Sequence, residues 1–283
     1  MKGEWVIKPS FREAESFHNG FAEVKIGRRF GFINKAGKWL VEPKLIQAFG
    51  FKEGFAAVKP TTEWGYINTQ GIFCIAPVFE LAFNFKGGAA RVRAGGRFGF
   101  IDTLGNFIVK PEFYTAAPFY EGFARVRIKD VCVYLNRQGE IVSKEGYQYA
   151  ENFSDGAARV RLEKTWGYID TAMEWIIPPT YDAAEDFVHG IARVRINNKW
   201  YFINKKGEFL FGGKKFDGAE DFCNSIARVK VNGKWGFINE NGEWVLEARF
   251  ENCRNFKNLK AYMAPDPDLK IIPHVPGMIN FVK

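Results

Sequence analysis

Pairs of basic residues recur at a fixed spacing along the chain and could bind an anion. The pairs lie 34 or 35 residues apart, and one apolar residue separates the two members of each pair. The clearest five pairs are Arg91 and Arg93, Arg125 and Arg127, Arg159 and Arg161, Arg193 and Arg195, and Arg228 and Lys230. An arginine guanidinium can bind two oxygens of a phosphate or carboxylate at once. If the pairs stack in register, they predict a surface for a polyanion, such as nucleic acid, or for a partner protein.

The same arginines could instead pair with carboxylates of the protein itself. The connectors between the units are acidic, and they contain Glu13, Glu15, Glu151, Asp155, Asp182, Glu185, Asp186, Glu220 and Asp221. Ion pairs between one repeat and the next would fix how the repeats stack. The net charge of +8 permits a polyanionic partner but does not require one. The sequence leaves both interpretations open.

The sequence contains no recognisable set of catalytic residues. Its three histidines, His18, His189 and His274, are far apart and occupy different positions of the repeat, and the first two lie beside turn glycines. We find no P-loop, nucleophile elbow, zinc-binding or dinucleotide-binding motif. We therefore expect no enzymatic activity, no cofactor and no metal site.

The four cysteines, Cys74, Cys132, Cys223 and Cys253, show no metal-ligand spacing. So few cysteines in a chain of 283 residues predict free thiols that act as small core residues in a reducing compartment. The first residues already follow the repeat pattern and contain no apolar signal segment. No apolar run reaches the length of a membrane span. These features predict a cytoplasmic protein.

The spacing of the basic pairs belongs to a repeat that runs through the whole chain. Glycines recur every 34 or 35 residues at Gly3, Gly37, Gly71, Gly105, Gly139, Gly207 and Gly242, with Met173 in the remaining position. Alanines recur in the same way at Ala22, Ala56, Ala90, Ala124, Ala158, Ala192 and Ala227. A period this regular indicates one structural unit copied about eight times.

Each copy contains three segments with the pattern of a strand. The first, as in Ala124–Ile128, alternates apolar and basic residues and predicts a half-buried strand. The second, as in Trp64–Asn68, is apolar on both faces and predicts a central strand. The third, as in Phe107–Lys110, is followed in most copies by proline, which removes a hydrogen-bond donor and should end the strand. The connector, as in 113–119, places aromatic and alanine residues three apart and predicts a turn or a helical turn.

The recurring glycine closes a hairpin between the second and third strands. It follows an Asn or Asp by three residues, as Gly37 follows Asn34, and the Asx side chain can cap the turn while glycine adopts a positive φ. Met173 breaks this rule. If the turn is the same there, replacing Met173 with glycine should relieve strain and stabilise the protein by about 1 kcal/mol.

At these positions the sequence resembles the WG-repeat (KWG-repeat) family. The matching pattern is Gly-Phe-Ala-x-Val, then Trp-Gly-Phe/Tyr-Ile-Asn/Asp-x-x-Gly, then an aliphatic run with proline, and it covers residues 3 to about 256. The copies at 132–134 and 200–202 lack the second-strand glycine. The resemblance implies a β-rich repeat scaffold of a kind common in bacteria, and it implies no catalytic residues.

The fold predicted from these patterns is all-β, with tandem three-stranded antiparallel repeats of about 34 residues. We favour a closed, propeller-like ring of seven or eight units. The N-terminal segment 4–9 has the pattern of a third strand, and 258–263 and 277–283 could supply the first and second strands of a closing unit. The alternative is an open β-solenoid, because a strand that alternates apolar residues with arginine suits a sheet with one face in water.

The predicted function is that of a non-catalytic scaffold. We expect a single repeat array over 1–263, followed by an irregular tail or closing strand over 264–283 that breaks the period. We expect the protein to bind a partner protein, as an accessory subunit of a larger complex, and not to act on a membrane or a small-molecule substrate. The alternative is binding of nucleic acid, a ribonucleoprotein or another polyanion through the basic pairs, and a weaker alternative is a sugar site on the tryptophans.

Overall fold

The fold is described from a computed structural model, for residues 4–252, 270–272 and 280–282. Over these residues the chain forms strands and turns, with one 3-10 turn at Phe211–Gly213 and no α-helix. The prediction of an all-β repeat fold is therefore confirmed. The chain divides into two compact units, Met1–His189 and Gly190–Lys283, which are described separately below.

The first unit contains five antiparallel sheets whose strands follow chain order. Sheet 1 is formed by Glu13–Ala14, Phe21–Ile26, Arg29–Asn34 and Trp39–Leu45, and sheet 2 by Gln47–Ala48, Phe55–Lys59, Trp64–Asn68 and Phe73–Phe79. Sheet 3 is formed by Leu81–Ala82, Ala89–Ala94, Arg97–Asp102 and Phe107–Phe113, and sheet 4 by Thr115–Ala116, Ala124–Ile128 and Val131–Leu135. Sheet 5 is formed by Tyr149–Ala150, Ala157–Leu162, Thr165–Asp170 and Trp175–Tyr181, and a short strand, Ala183–Ala184, follows it.

The second unit repeats the same plan. Sheet 6 contains the hairpin of Ile191–Ile196 and Lys199–Asn204. Sheet 7 is formed by Gly218–Ala219, Ile226–Val231, Lys234–Asn239 and Trp244–Phe250. Two further strands, Lys270–Ile272 and Asn280–Val282, pair with each other.

Each complete sheet has four strands, one more than the sequence predicts. The additional strand is two residues long and lies in the connector, where a turn or helical turn was expected. In sheet 3 this leading strand, Leu81–Ala82, pairs antiparallel with the first long strand, so that Ala82 lies opposite Val92. The apolar spacing of three residues was therefore misinterpreted, because a strand of two residues is too short to show a period of its own.

The second long strand is central and buried, as predicted, and its glycine permits a bulge in the third strand. In sheet 3 the pairing moves from Phe98 opposite Phe113 to Phe100 opposite Val109, so the third strand carries two extra residues. A Cβ on Gly99 would lie 2.6 Å from the carbonyl oxygen of Val109. The third strand also continues through Pro111, instead of ending there as predicted, because the proline lies within the bulge.

The two copies without this glycine also lack a regular third strand. Val133 and Tyr201 occupy its position, and in both copies the third strand is reduced to isolated bridges. In sheet 4 the hydroxyl of Ser143 accepts a hydrogen bond from the backbone N–H of Tyr134, at 2.6 Å. The Ser143 side chain thus replaces one backbone hydrogen-bond partner of the central strand, in a copy where the Cβ of Val133 excludes the bulge.

The hydrophobic core lies between neighbouring sheets and is divided among them. Between sheets 3 and 4, for example, Phe100 and Phe113 pack with Ala124 and Val126. Similar clusters join sheets 1 and 2, sheets 2 and 3, sheets 4 and 5, and, in the second unit, sheets 6 and 7. A single sheet of this size is marginal alone, so stacking supplies most of the apolar burial.

The Asx-Gly hairpin has the predicted geometry. In sheet 3 the carboxylate of Asp102 accepts hydrogen bonds from the backbone N–H groups of Leu104 and Asn106, and Gly105 has a φ of +88°. Met173 keeps this turn with a φ of +63°, but its side chain is buried against sheet 4. Sheet 4 is one of the sheets without a regular third strand, and Met173 fills the space next to it.

We now expect Met173→Gly to destabilise the protein, which reverses the sign expected from the sequence. Burial of the Met173 side chain contributes roughly 1.5–3 kcal/mol, which exceeds the roughly 1 kcal/mol of left-handed strain that glycine would relieve. The free energy of unfolding in urea should fall by about 1 kcal/mol. Met173→Ala keeps the strain and loses the packing, so it should fall further. A variant Met173→Gly that is more stable than the wild type would contradict this assignment.

The N-terminal end differs from the prediction, whereas the C-terminal prediction can be compared only at Asn280–Val282, which is a strand that pairs with Lys270–Ile272. Residues 4–9 do not form a strand, and Ile7 and Phe11 pack instead on Ala22, Val24 and Ile33 of sheet 1. The predicted strand at 258–263 lies outside the described residues, and of 277–283 only Asn280–Val282 is described. Cys132 is a buried free thiol as expected, whereas Cys74 is exposed and Cys223 half-buried. Cys253 lies outside the described residues.

Candidate functional site

The register of each hairpin explains how the basic pairs are arranged. In sheet 5, Arg161 lies directly opposite Trp166, and Arg159 lies on the same face two residues away. The guanidinium of Arg159 is 5.5 Å from the Trp166 ring centre, within cation–π range. Strand pairing thus places the tryptophan of the repeat pattern beside the basic pair. The sequence predicts these tryptophans as part of a central strand, with a sugar site as a weaker alternative, and it does not predict their contact with the basic pair.

The first basic residue of most pairs contacts the next repeat. Its guanidinium donates a hydrogen bond to the carbonyl oxygen of the second residue of the following leading strand. The four contacts of this kind are Arg91 to Ala116, Arg125 to Ala150, Arg159 to Ala184, and Arg193 to Ala219. These arginines therefore lie between repeats, and the face that they occupy is not an open, water-covered face.

Carboxylates reinforce three of these four contacts. Arg159 lies 2.7 Å from Glu185 and 2.8 Å from Asp186, and its side chain is 18% exposed. Arg125 lies 3.7 Å from Glu151, and in the second unit Arg193 lies 2.7 Å from Asp221. Burial raises the pKa of Asp186, and the nearby Arg159 opposes that rise. These three arginines therefore pair with carboxylates of the acidic connectors, within the protein itself.

Arg228 and Arg91 depart from this arrangement in different ways. Arg228 pairs with Glu220 of its own sheet. Arg91 donates to the Ala116 carbonyl, but among the described residues no carboxylate lies within ion-pair distance of it. The residues after Ala116 are Ala117 and Pro118, where the later repeats carry acidic residues.

The second residue of each pair makes looser contacts. Arg93 lies 3.5 Å from Glu80, and Arg127 donates to the carbonyl oxygen of Asp130 at 3.2 Å. Arg161, Arg195 and Lys230 lie over the rings of Tyr149, Trp200 and Trp235, respectively, at 5.2 to 5.7 Å. Across the described residues, Arg127, Arg161 and Arg195 have no carboxylate partner.

In sheet 1 a glutamate replaces the first basic residue. Glu23 is half-buried, and burial, reinforced by Glu15 and Glu13 and opposed by Lys25, raises its pKa to about 7. The folded protein therefore binds this proton more tightly than the unfolded chain, whose glutamate has a pKa near 4.5. Stability should accordingly fall as the pH rises from about 4.5 to about 7 and stay level above that.

We expect Glu23→Gln to stabilise the protein at about pH 8 and to leave it nearly unchanged at about pH 5. Because Glu23 is partly solvated, the gain should be about 1 kcal/mol and not the full equivalent of the pKa change. Urea unfolding at the two pH values measures it. Glu42→Gln, which removes an exposed carboxylate that does not affect the pKa of Glu23, is the control and should not stabilise at either pH. An equal effect of Glu23→Gln at both pH values would contradict the assigned titration.

Exposed apolar side chains recur at the start of the third strand. We call this set the third-strand row, and in the first unit it contains Trp39, Phe73 and Phe107. Sheet 2 extends the row with Ile72, which is 62% exposed, and Val78, which is 56% exposed. The third-strand row could not be predicted from the sequence, because an aromatic residue at the start of a strand shows the same sequence pattern whether its side chain is buried or exposed.

The residues considered for chemistry do not converge on one site. His18 and His189 both lie in tight turns with their neighbouring glycines, as predicted, and His274 lies outside the described residues. Among the described residues, no group of His, Cys, Asp and Glu side chains could hold a metal ion. The described part of the chain also contains no helix long and apolar enough to cross a membrane.

These features define a class of tandem β-repeat protein, in which antiparallel sheets of three or four strands stack through apolar clusters and most third strands carry a glycine-permitted bulge. The family model described as "WG containing repeat" matches eight segments, at residues 1–29, 30–59, 64–97, 98–132, 134–166, 166–200, 202–235 and 235–258. These matches cover most of the sequence, and the chain belongs to this family.

Two solved structures illustrate the likeness, and the first of them supports the fold alone. A crystal structure of the eukaryotic initiation factor aligns with a TM-score of 0.50 at 11% identity, over 86% of this chain and 78% of that one. Kluyveromyces lactis Hsv2 aligns with a TM-score of 0.40 at 8% identity, over 80% of this chain and 84% of that one. A search of curated proteins finds no significant match.

Proposed function

We propose that this protein is a non-catalytic repeat scaffold that binds a partner protein through the third-strand row, as an accessory subunit of a larger complex. The observation that carries the proposal is the exposure of apolar side chains at the same position of successive repeats. Soluble proteins rarely leave such patches uncovered unless another molecule binds there. The first members of the basic pairs form a column that we call the first basic column, which comprises Arg91, Arg125, Arg159, Arg193 and Arg228. It does not offer an equivalent surface, because four of its five arginines donate hydrogen bonds to the next repeat.

Sheet 2 presents the most favourable part of this surface. Its third strand, Phe73–Phe79, is at the sheet edge, and no described strand pairs with its outer side. Edge strands in natural proteins usually carry charges that prevent pairing with other chains. The neighbouring sheets carry Lys44 and Glu112 at the position of Val78, whereas the sheet 2 strand has no charged residue. We propose that an extended apolar segment of the partner adds to this edge.

Affinity purification from host extract with quantitative mass spectrometry tests the proposal. We expect Val78→Lys to lose proteins that the wild type retains, because it places a charge on the proposed edge. Glu112→Lys introduces the same residue at the equivalent position of sheet 3, where a charge already exists, and it should retain them. Identical sets of bound proteins for the wild type and Val78→Lys would contradict the proposal.

Polyanion binding is the second candidate function, and one observation favours it. Arg127, Arg161 and Arg195 lack carboxylate partners within the described residues and could contact phosphates. Such binding would weaken steeply with salt, because it releases counterions from the nucleic acid.

Binding to single- and double-stranded nucleic acid across a salt series tests this candidate. Substitution of Arg127 and Arg161 by Gln should reduce the salt slope by about 2 if both contact phosphate. Arg125 and Arg159 are unsuitable for this test, because their removal would disturb contacts between repeats. A wild-type protein that shows no salt-sensitive binding would eliminate the candidate.

We further propose that the repeats close into a propeller-like ring and that the protein acts in the cytoplasm. Closure would cover the sheet faces that are otherwise exposed at the two ends of the array. Distance labels near the two termini should then report a short separation, and a separation of several tens of ångströms would favour the open solenoid. Fractionation of host cells tests the proposed cytoplasmic location.

A further inference from the structure

A cavity in the first unit lies where the connectors of sheets 2, 3 and 4 meet. Its volume is about 450 Å³, and its walls include the rings of Phe49 and Phe83 together with the Arg91 side chain. Cavities of this size and apolar lining are typical of small-molecule binding sites. None of the residues in the third-strand row lines it, so the cavity is independent of the proposed protein-binding surface.

Aromatic side chains line this cavity, and two of them, Phe49 and Phe83, belong to a stack that ends at Arg91. The rings of Trp64 and Phe49 are nearly parallel, at 5.1 Å and 12°, and Phe83 continues the series at 6.5 Å and 15° from Phe49. The guanidinium carbon of Arg91 lies 3.8 Å from the centre of the Phe83 ring. A ligand ring in the cavity would contact these side chains together with Phe85, Phe100 and Phe119, with an anionic group at its end beside Arg91.

The charge of Arg91 is not neutralised by the protein in the way that equivalent arginines are. Arg125 and Arg159 contact carboxylates that directly follow the alanine of the next leading strand. For Arg91 the corresponding residue is Ala117, which has no acceptor for a second contact. The Arg91 side chain is half-buried. Its burial lowers the pKa of Arg91, as expected for a cation without a nearby carboxylate.

Other polar groups at the cavity also favour an anion. Lys52 and Lys86 line it together with Arg91, while Glu53 is the acidic residue there. Three cations and one carboxylate give a formal net charge of +2. The Glu53 carboxylate already accepts hydrogen bonds from the backbone N–H groups of Gly87 and Gly88. The cations are thus in excess over the carboxylate at this site.

We propose that this cavity binds a small aromatic anion, with the anionic group on Arg91 and the ring against Phe49 and Phe83. The aromatic lining of the cavity selects the ring, and the arginine without a carboxylate partner selects the charge. No other first-column arginine in the described first unit combines these two features, because Arg125 and Arg159 both contact carboxylates.

Fluorescence titration with anilinonaphthalene sulfonate, an aromatic anion, tests the proposal, and uncharged phenylnaphthylamine is the matched neutral probe. Arg91→Gln should weaken sulfonate binding at least about 10-fold, since it removes a charge-assisted contact. Its affinity for the neutral probe should change by less than about 2-fold. Ala117→Glu should weaken sulfonate binding similarly, because the new carboxylate would pair with Arg91 as Glu151 pairs with Arg125.

Two controls keep the test decisive. Arg29→Gln removes an exposed charge outside the cavity and should leave both affinities unchanged. Thermal unfolding of each variant verifies the fold, and Ala117→Glu should retain it, since it adds an ion pair that other repeats already have. Wild-type sulfonate affinity in both Arg91→Gln and Ala117→Glu would overturn the proposal. An equal loss of affinity for both probes in Arg91→Gln would also overturn the proposal, because the cavity would then not recognise the charge of the sulfonate.

Discussion

Gly99→Ala should lower the free energy of unfolding by about 3 kcal/mol, the largest effect that we expect from a single added methyl group in this protein. The new Cβ would lie 2.6 Å from the carbonyl oxygen of Val109 and 2.8 Å from the backbone nitrogen of Pro111. Both contacts are with backbone atoms of the bulged third strand, which cannot rotate away as a side chain can. Relief requires the third strand to separate from the second, as it has in the sheet that carries Val133. Urea unfolding measures the change.

Gly50→Ala is the matched control for this substitution. Its backbone has no positive φ that disfavours alanine, and the nearest atom to an added Cβ is in the His18 side chain at 3.9 Å. Its effect on stability should stay within about 0.5 kcal/mol. A Gly99→Ala protein as stable as the Gly50→Ala protein would mean that the bulge does not require glycine.

Arg159→Ala should lower the free energy of unfolding by about 2–3 kcal/mol. The side chain is mostly buried, donates to the Ala184 carbonyl oxygen, and lies within 3 Å of carboxylates on Glu185 and Asp186. Its removal leaves a carbonyl and partly buried carboxylates without their cation, and such groups are costly to leave unpaired. Equilibrium unfolding in urea is the measurement.

Arg161→Ala provides the comparison for Arg159, because the two arginines belong to the same basic pair. Arg161 lies 5.2 Å from the Tyr149 ring and has no carboxylate partner within the described residues. Its loss should lower stability by about 0.5–1 kcal/mol, the usual range for an exposed cation–π contact. Equal losses of unfolding free energy in Arg159→Ala and Arg161→Ala would show that the two members of the pair do not differ in their contribution to stability.

Much of the fold follows from the sequence, because the repeat makes each signal visible several times. The alternation in Ala124–Ile128 and the Asx-Gly turns define two hairpins per copy, and the apolar second strand identifies the central position. The bulge could not be predicted, since it depends on a close approach between Gly99 and a strand ten residues away. The two-residue leading strand was missed because its pairing is entirely a tertiary effect.

The candidate sites were less accessible to sequence reasoning. The sequence identified the basic columns and the acidic connectors, but only the spatial register decides that Arg159 meets Glu185 while Arg161 meets an aromatic ring. The reversal at Met173 has a similar cause. The sequence revealed a residue unsuited to a positive φ, whereas the space that its side chain fills results from the irregular third strand of sheet 4.

We conclude that the first basic column joins neighbouring repeats. A double-mutant cycle between Arg159 and Asp186 tests it most directly, since the two residues belong to successive repeats and lie 2.8 Å apart. Urea unfolding of the wild type, Arg159→Ala, Asp186→Ala and the double variant should give a coupling energy of about 1 kcal/mol or more in favour of the pair. A coupling energy near zero would contradict the claim and would return the first basic column to consideration as a binding surface.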